Sequence, residues 1–582
     1  MRRVALAASL VAVSGALTAP ALAAASGTPA AVHVLVTGTS PAARAEVARA
    51  VTLAGGHVDR SMAVIDGVSA TVPAAALSEL RAAAGVRSVT VDGKGHLQGL
   101  DSTLGYDVGG DDGSLYNIGQ ITHAKDAWSH GWTGKGVDVA LIDSGVVPVK
   151  GLTSGNVIQG PDLSFESQDP ALEHLDTFGH GTHMASIIAG RDTASTGSFY
   201  AKGDSHSFNG VAPDARLVSL KVAAADGGSD VSQVIAAIDW VTQHARSGGL
   251  NIKVLNLSYG TDSKQDPALD PLDYAVENAW RAGITVVVSS GNDGANGNAL
   301  ADPANDPLVL AIGADDPNGS DSVGDDTVPA FAQKGTPARY VDMIAPGVHV
   351  LGLRNPGSSA DLGSPTARVG NRFFRGSGTS QSAAVVSGLA ALYLQKYPSA
   401  TPDQVKKALM ATASVPSSVK STLVGVGVPD VNKAIGAALP SLSAATQLAT
   451  GARGTGSLEA ARGSSHVSNG IDDLVGEQDI FGNAWDGAAW SSASAARTSW
   501  SGGSWRGNDV TAAGAGADGS WDGHAWSSND WTGHAWSGHA WSGHAWSDSG
   551  WDGHAWSDSC WDGSTWSAAG WSTDGWQAWA WG

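Results

Sequence analysis

Hydrophobic and polar positions alternate with two different periods in residues 32–92. Apolar residues at every second position predict strands, and apolar residues three or four positions apart predict helices. The resulting order is β-α-β-β-α-β, a split βαβ sheet. The strand patterns lie at 32–36, 57–72 and 86–91, and the helices begin at 41 and 73. This segment is therefore expected to fold as a small α+β domain.

From about residue 115 the pattern changes to near-continuous apolar strands that alternate with helices. Such strands are typical of a parallel sheet that is covered on both faces. They are expected at 137–142, 215–222, 254–257, 284–288 and 309–312, with helices such as 231–245 between them. The last globular segment is expected to be a helix at 401–413 and a Gly-rich turn leading into 431–438. The sequence thus predicts an α/β domain over residues 113–440. A polar linker at 99–113, rich in Gly and Asp, is expected to precede it.

The first 25 residues have the features of a signal peptide. Arg2 and Arg3 precede an apolar run, and Ala21 and Ala23 supply the small residues of a cleavage site. No later stretch is long and apolar enough to predict a membrane span. Export of a soluble protein is therefore expected, with residues 1–25 removed.

Beyond residue 440 the composition shifts to Ala, Ser and Gly and then to a tryptophan repeat. From Trp521 to Trp581 a Trp recurs at every fifth position, and Trp579 is an extra one. A period of five fits neither a helix nor a flat strand, so the repeat is either a coiled solenoid or a low-complexity tail, and we favour the tail. We predict that residues 441–582 form a linker and tail whose indoles contact a cell surface or polysaccharide. Metal binding is a minor alternative for the histidines of the repeat, His524, His534, His539, His544 and His554.

Charge and cysteine content narrow the function. The net charge of -21, without a basic patch, argues against nucleic-acid binding. The only cysteine, Cys560, cannot form an intrachain disulfide or supply a cysteine-based zinc site, so stability must come from a large core or from bound ions. The stretch 315–326 is rich in the oxygen ligands that Ca²⁺ prefers, although a solvated acidic loop would look the same.

Two motifs offer a carboxylate and an imidazole. Asp143 ends the apolar run Val-Ala-Leu-Ile-Asp, which places it at the carboxyl edge of the sheet, where α/β folds build their sites. On its own it could be a turn former. His180 opens an apolar helix in Gly-His-Gly-Thr-His. The pair His180 and His183 lacks the acidic partner of a helical zinc motif, so we expect His183 to be a packed side chain.

Two further motifs offer a hydroxyl and an amide. Ser380 lies where Gly-Thr-Ser runs into an apolar helix, so it is either a helix cap or a nucleophile beside free backbone amides. Asn292 follows a buried strand in Ser-Ser-Gly-Asn, so it is either a turn residue or a donor to a developing oxyanion.

In the order Asp, His, Asn, Ser, these motifs resemble the signature of the subtilisin-like serine proteases, the subtilases of peptidase family S8. The resemblance covers residues 115–438. The matching blocks are Asp143-Ser-Gly, His180-Gly-Thr-His, Ser290-Gly-Asn292 and Gly378-Thr-Ser380. It implies a serine endopeptidase of polypeptides that needs no cofactor for catalysis, in which Ser380 attacks, His180 moves the proton and Asp143 orients His180. Asn292 and the amide of Ser380 would hold the oxyanion.

The same resemblance implies a zymogen. Residues 26–112 would be an I9-type, ferredoxin-like inhibitory propeptide with its linker, and structural Ca²⁺ would be expected at ligands that the sequence does not identify. Substrate would pair with Leu257, Ser258, Tyr259, Gly260, Ser290 and Gly291. Three positions depart from the family pattern: Ser144, Gln381 and Ala384 stand for Thr, Met and Pro.

Two alternatives to a working protease are considered. The chain could be a surface-binding protein whose protease serves only its own maturation, or a catalytically dead relative. The intact set Asp143, His180 and Ser380 argues against the second.

Overall fold

The structure is a computed structural model that describes most of the chain between residues 31 and 510. The described residues are 31–63, 66–91, 108–169, 171–192, 207–294, 299–417, 419, 422–467 and 473–510. They belong to two compact units that divide between Leu97 and Gln98. The predicted signal peptide, the tryptophan repeat and Cys560 lie outside the described residues.

The N-terminal unit is a four-stranded antiparallel sheet with two helices against it. Its elements are β1 (Ala31–Gly38), α1 (Arg44–Leu53), β2 (His57–Met62), β3 (Gly67–Pro73), α2 (Leu77–Arg81) and β4 (Val86–Val91). The strand order β2-β3-β1-β4 and the alternation of elements confirm the predicted β-α-β-β-α-β plan. Val34 and Val36 of β1 meet Val47 and Val51 of α1 in one core, as their spacing predicts.

The second unit is built on a seven-stranded parallel sheet. Its strands are β5 (Asp138–Asp143), β6 (Val157–Asp162), β7 (Arg216–Lys221), β8 (Ile252–Leu257), β9 (Thr285–Ser289), β10 (Leu310–Asp315) and β13 (Met343–Pro346). They lie in the order β13-β10-β9-β8-β5-β7-β6. Helices α3 to α7 are Leu115–Ile121, Ala124–Ser129, His180–Ala189, Val231–His244 and Pro271–Arg281. The five predicted strands are all present, whereas the two edge strands β6 and β13 were not predicted.

Shorter elements and the longest helix complete this unit. The remaining strands up to residue 440 are β11 (Gly335–Thr336), β12 (Arg339–Tyr340), β14 (Val350–Leu353), β15 (Arg368–Val369) and β16 (Phe373–Gly376). The remaining helices are α8 (Ser359–Gly363), α9 (Thr379–Lys396), α10 (Pro402–Thr412) and α11 (Val431–Gly436). Nearly all of α9 is buried, and it packs across β8, β9, β10 and β13 in the middle of the sheet.

The described residues between 441 and 510, which are 441–467 and 473–510, fold onto this unit and are not the linker that their composition predicted. They form α12 (Leu442–Ala445), α13 (Leu458–Arg462), α14 (Gly487–Ala496), β17 (Trp500–Ser501), β18 (Ser504–Trp505) and β19 (Asn508–Asp509). Trp490 and Trp505 are buried in the same hydrophobic core as the sheet. Both indole nitrogens donate to the carboxylate of Asp239 in α6, at 2.9 and 3.0 Å. The large indole side chains thus supply buried apolar surface that a segment rich in Ala and Ser would otherwise lack.

The predicted linker is also folded from Val108 onward. Val108 lies in the core, and Asp111 accepts a hydrogen bond from Arg375 at 3.0 Å. Within the described part of the chain, none of the helices has both the length and the apolarity to cross a membrane.

Candidate active site

The carboxyl end of β5 brings Asp143 to His180, the first residue of α5. His180 Nδ1 donates to Asp143 Oδ1 at 2.8 Å and lies 3.0 Å from Oδ2. Both side chains are almost completely buried, so water does not compete for this contact. Gly181 allows the start of α5 to lie close to the turn after β5, because a Cβ at residue 181 would lie 2.1 Å from the carbonyl oxygen of Gly145.

A second buried carboxylate, Asp176, fixes the loop that leads to His180. Its oxygens accept from Gly179 N at 2.6 Å, from Thr182 N at 2.7 Å and from Ser144 Oγ at 2.8 Å. Burial raises the pKa of Asp176, and these donors lower it in part. Sequence reasoning missed Asp176, because a lone Asp four residues before His180 follows no strand or helix pattern.

Ser144, one of the three departures from the family pattern, keeps its hydroxyl in the same network. Besides the contact with Asp176, Ser144 Oγ accepts from Gly181 N at 2.9 Å, and Ser144 N donates to Asp143 Oδ1 at 2.8 Å. The hydroxyl therefore links the turn after β5 to the start of α5, which is the packing that a threonine hydroxyl would also provide.

His183 is fully buried, as expected of a packed side chain. Burial lowers the pKa of His183 to about 3, with a smaller contribution from the neighbouring His180. His183 is therefore neutral at physiological pH. Its ring lies against Gly352, where an added Cβ would be 2.7 Å from the imidazole.

Ser380 lies in the first turn of α9. The cap position of that helix belongs to Gly378, which has no capping side chain, so the alternative that Ser380 is a helix cap is wrong. Its backbone amide is one of the first amides of the helix, which have no partner within it. Ser258, just after β8, donates its hydroxyl to Ser380 O at 3.3 Å. Because β8 and β5 are neighbours, Ser380 lies at the same sheet edge as Asp143.

Asn292 follows β9 at this edge and contacts the start of α9. Its Oδ1 accepts from Thr379 N at 2.8 Å and from Thr379 Oγ1 at 3.0 Å. Because both donors hold the oxygen, the NH₂ group of Asn292 is left as the donor that faces away from Thr379. This orientation suits the predicted role at an oxyanion.

The six predicted cleft residues form two neighbouring segments, but most of their side chains are buried. Leu257, Ser258, Tyr259 and Ser290 have their side chains in the core, so only their main chain can meet a substrate. Ala301, which sequence reasoning missed, lies between the segments. A Cβ added to Gly260 would lie 2.7 Å from the methyl group of Ala301, and a Cβ added to Gly291 would lie 3.2 Å from the same methyl group.

Gln333 is a second residue that sequence reasoning missed. An added Cβ at Gly291 would lie only 1.8 Å from Gln333 Oε1, so this amide occupies the space over Gly291. Gln333 Nε2 donates to Ala299 O, which holds the side chain in place. The space beside Gly260 and Gly291 is therefore occupied by two uncharged side chains, those of Ala301 and Gln333.

The ends of the acidic stretch 315–326 meet in the structure. Burial, together with the neighbouring carboxyl groups, raises the pKa of Asp315 to about 10 and that of Asp326 to about 6. The pair thus offers two carboxylates. A group of three within reach of one ion occurs elsewhere, at Asp270, Asp273 and Asp302.

Comparison with known proteins decides the family. A model described as the subtilase family, peptidase S8, matches residues 134–440, which is more than half of the chain. The chain belongs to the subtilase family. Members of this family are serine endopeptidases, which confirms the predicted enzyme class. A model of a peptidase inhibitor domain matches residues 12–92 of this subtilase and fits the predicted propeptide.

Curated relatives of this subtilase include two serine proteases. Serine protease AprX of Bacillus subtilis (strain 168) is 36% identical over 299 residues, 50% of this chain and 64% of that protein. The extracellular serine proteinase of Thermus sp. (strain Rt41A) is 32% identical over 381 residues, 65% of this chain and 78% of that protein. This subtilase thus matches less than two thirds of the length of AprX. A solved cold-adapted subtilisin-like serine proteinase is 28% identical with a TM-score of 0.37, over 51% of this chain and 88% of its own.

Proposed function

We propose that this subtilase is a secreted serine endopeptidase, made as a zymogen, whose catalytic triad is Ser380, His180 and Asp143. The observation that carries the proposal is the buried hydrogen bond between His180 Nδ1 and Asp143, at the sheet edge that also holds Ser380. Because Nδ1 faces the carboxylate, Nε2 is the ring nitrogen that exchanges a proton with the nucleophile.

The reaction proceeds in two halves. Ser380 Oγ forms a bond to the scissile carbonyl carbon while its proton passes to His180 Nε2. The C–N bond then breaks as His180 returns the proton to the leaving nitrogen, and water hydrolyses the acyl-enzyme by the reverse sequence of proton transfers. Asp143 holds the ring in place and stabilises the imidazolium.

The developing oxyanion is stabilised by the NH₂ group of Asn292 and the backbone amide of Ser380. The contacts of Asn292 Oδ1 with Thr379 support this role, because they occupy the amide oxygen and leave the NH₂ group as the donor. Removing the donor by Asn292→Ala should slow turnover by about 100- to 1000-fold with little change in KM. An increase in KM of similar size, with kcat unchanged, would contradict the role.

The N-terminal unit is proposed to be the inhibitory propeptide. Its support is the match of residues 12–92 to a peptidase inhibitor domain and its separation from the second unit as a compact fold. Secretion rests on the signal-peptide pattern of residues 1–25, and contact of the tryptophan repeat with cell surface or polysaccharide rests on its composition.

The test compares two serines of the same helix. Ser380→Ala should abolish casein hydrolysis, propeptide release and labelling by a fluorophosphonate. Ser382→Ala, two residues further along α9, removes a buried hydroxyl that donates to Ala345 O at 2.8 Å and should keep all three activities. If the Ser380→Ala protein were labelled and cleaved casein at the wild-type rate, the assignment would be wrong.

A further inference from the structure

Three aspartates converge in the core between α7 and the wall of the substrate cleft. Asp270 caps α7, Asp273 lies in its first turn, and Asp302 follows Ala301. One carboxylate oxygen of each lies within 4.8 Å of the other two. All three residues are fully buried.

No described Lys, Arg or His side chain forms an ion pair with any of these carboxylates. Asp270 is hydrogen-bonded to Leu272 N at 2.7 Å and to Gln265 Nε2 at 2.9 Å. In contrast, the four carboxylate oxygens of Asp273 and Asp302 have no donor in hydrogen-bonding geometry among the described residues. Three buried negative charges without a counter-charge are strongly unfavourable, so the group must bind either protons or a cation.

The spacing of the carboxylate oxygens meets the requirement of a bound Ca²⁺ ion. Two oxygens that bind one Ca²⁺ at 2.3–2.6 Å lie at most about 5 Å apart, and the three aspartates meet this limit. A further buried oxygen without a donor among the described residues is Oδ1 of Asn305, three residues after Asp302. Oxygen-only ligands in flexible geometry suit Ca²⁺, whereas Mg²⁺ would require several retained waters.

We propose that Asp270, Asp273 and Asp302 bind one Ca²⁺ ion, with Asn305 as the neighbouring amide ligand. This site is separate from the Asp315 and Asp326 pair. It does not depend on the proposed function, since an inactive protein would bind the ion equally well.

The ion would connect α7 to the wall of the cleft. Asp302 N and O pair with Thr261 O and N at 3.0 and 2.9 Å, and Thr261 follows Gly260 directly. Ala301, the residue before Asp302, lies between Gly260 and Gly291. Bound Ca²⁺ would therefore hold the backbone next to Gly260 and Gly291, two of the residues with which substrate is predicted to pair, and it would remove the electrostatic cost of the three carboxylates.

The first experiment counts calcium in the full chain carrying Ser380→Ala, which prevents self-digestion. Equilibrium dialysis against radioactive Ca²⁺ at about 1 mM, the range in which extracellular sites bind, gives the number of ions per chain. Adding Asp273→Asn should remove one equivalent, because the amide keeps the shape and loses the charge. The matched control Asp326→Asn leaves the three aspartates intact and should keep that equivalent. An unchanged stoichiometry in a folded Asp273→Asn protein would overturn the proposal.

The second experiment uses the three native aspartates, so it does not depend on the folding of an Asp273 variant. Crystals of the Ser380→Ala protein are soaked in Tb³⁺, a Ca²⁺ substitute, and the anomalous difference map is calculated. A peak bonded to Asp270, Asp273 and Asp302 supports the site. Carboxylates joined to one another by shared protons, without a peak, would overturn it.

Discussion

Removing the charge of Arg462 tests whether the segment 441–510 stabilises the second unit. Arg462 ends α13 and is completely buried, and its Nε donates to Asp230 Oδ2 at 2.6 Å. Asp230 is the cap of α6, where its Oδ1 accepts from Ser232 N at 2.9 Å. Arg462 also donates to the backbone oxygens of Gly476, at 2.7 Å, and Gln478. The ion pair therefore fastens the C-terminal segment to the helix before β8.

The size of the effect follows from which partner is left behind. Arg462→Met leaves the carboxylate of Asp230 buried without its counter-charge, which should lower the free energy of unfolding by about 3–5 kcal/mol. In an Asp230→Asn background, Asn remains a good helix cap, but the buried guanidinium of Arg462 has lost its partner. There Arg462→Met removes that unfavourable charge together with the hydrogen bonds to two backbone oxygens, which contribute about 1 kcal/mol each. The coupling between the two sites should then be about 2 kcal/mol or more.

Urea unfolding of the four proteins, all carrying Ser380→Ala and monitored by tryptophan fluorescence, measures this cycle. The midpoint should fall most for Arg462→Met alone. If Arg462→Met cost the same in both backgrounds within about 0.5 kcal/mol, the pair would contribute nothing beyond packing and the reasoning would fail.

Three further predictions concern the tail and two buried acids. Deleting 511–582 should leave peptide hydrolysis by the secreted protein intact, whereas deleting 441–582 should abolish it by exposing the core; full activity of the longer deletion would refute this. Burial alone would raise the pKa of Asp342, but Lys406 and Arg339 outweigh it and hold the pKa below 3.8. The resulting stability is present above pH ~4 and lost as the pH falls through the folded pKa; urea titrations at several pH values should show that Lys406→Met reduces this dependence. Burial, and after it the charges of Asp325 and Asp316, raise the pKa of Asp326 to about 6, so in chelator the folded state holds the Asp326 proton more tightly than the unfolded chain does. Stability should therefore fall between pH ~4 and about 6, and Asp326→Asn should flatten that slope.

The fold and the reacting groups could be predicted because local pattern determines them. Buried parallel strands must be apolar throughout, so β5, β8 and β9 are visible in the sequence, and their carboxyl ends indicate where Asp143 and Asn292 lie. The edge strand β6 was missed, because Val-Ile-Gln-Gly-Pro-Asp is too polar to stand out. Asp176 and Ala301 were missed for another reason. Their roles depend on contacts made only once the chain has folded.

The C-terminal segment shows where composition misleads. Between residues 441 and 510 the many Ala, Ser and Gly residues suggest a linker, yet a few indoles and one buried arginine suffice to fix the segment to the core. Trp490 and Trp505 contribute this because each combines a large apolar area with one polar nitrogen that Asp239 satisfies. Sequence periodicity carries no sign of a single acceptor placed 251 and 266 residues earlier.

That separation along the chain has a consequence for biosynthesis. Asp239 emerges from the ribosome long before the two indoles that cover it, and at 5–20 residues per second the 266 residues to Trp505 take about 13–53 seconds to make. Until then the carboxylate of Asp239 in α6 lacks these two donors, and the apolar face of α6 that the indoles cover stays exposed to solvent. The core around Asp239 is therefore completed only after residue 505 has been synthesised, which makes folding of the second unit a late event in translation.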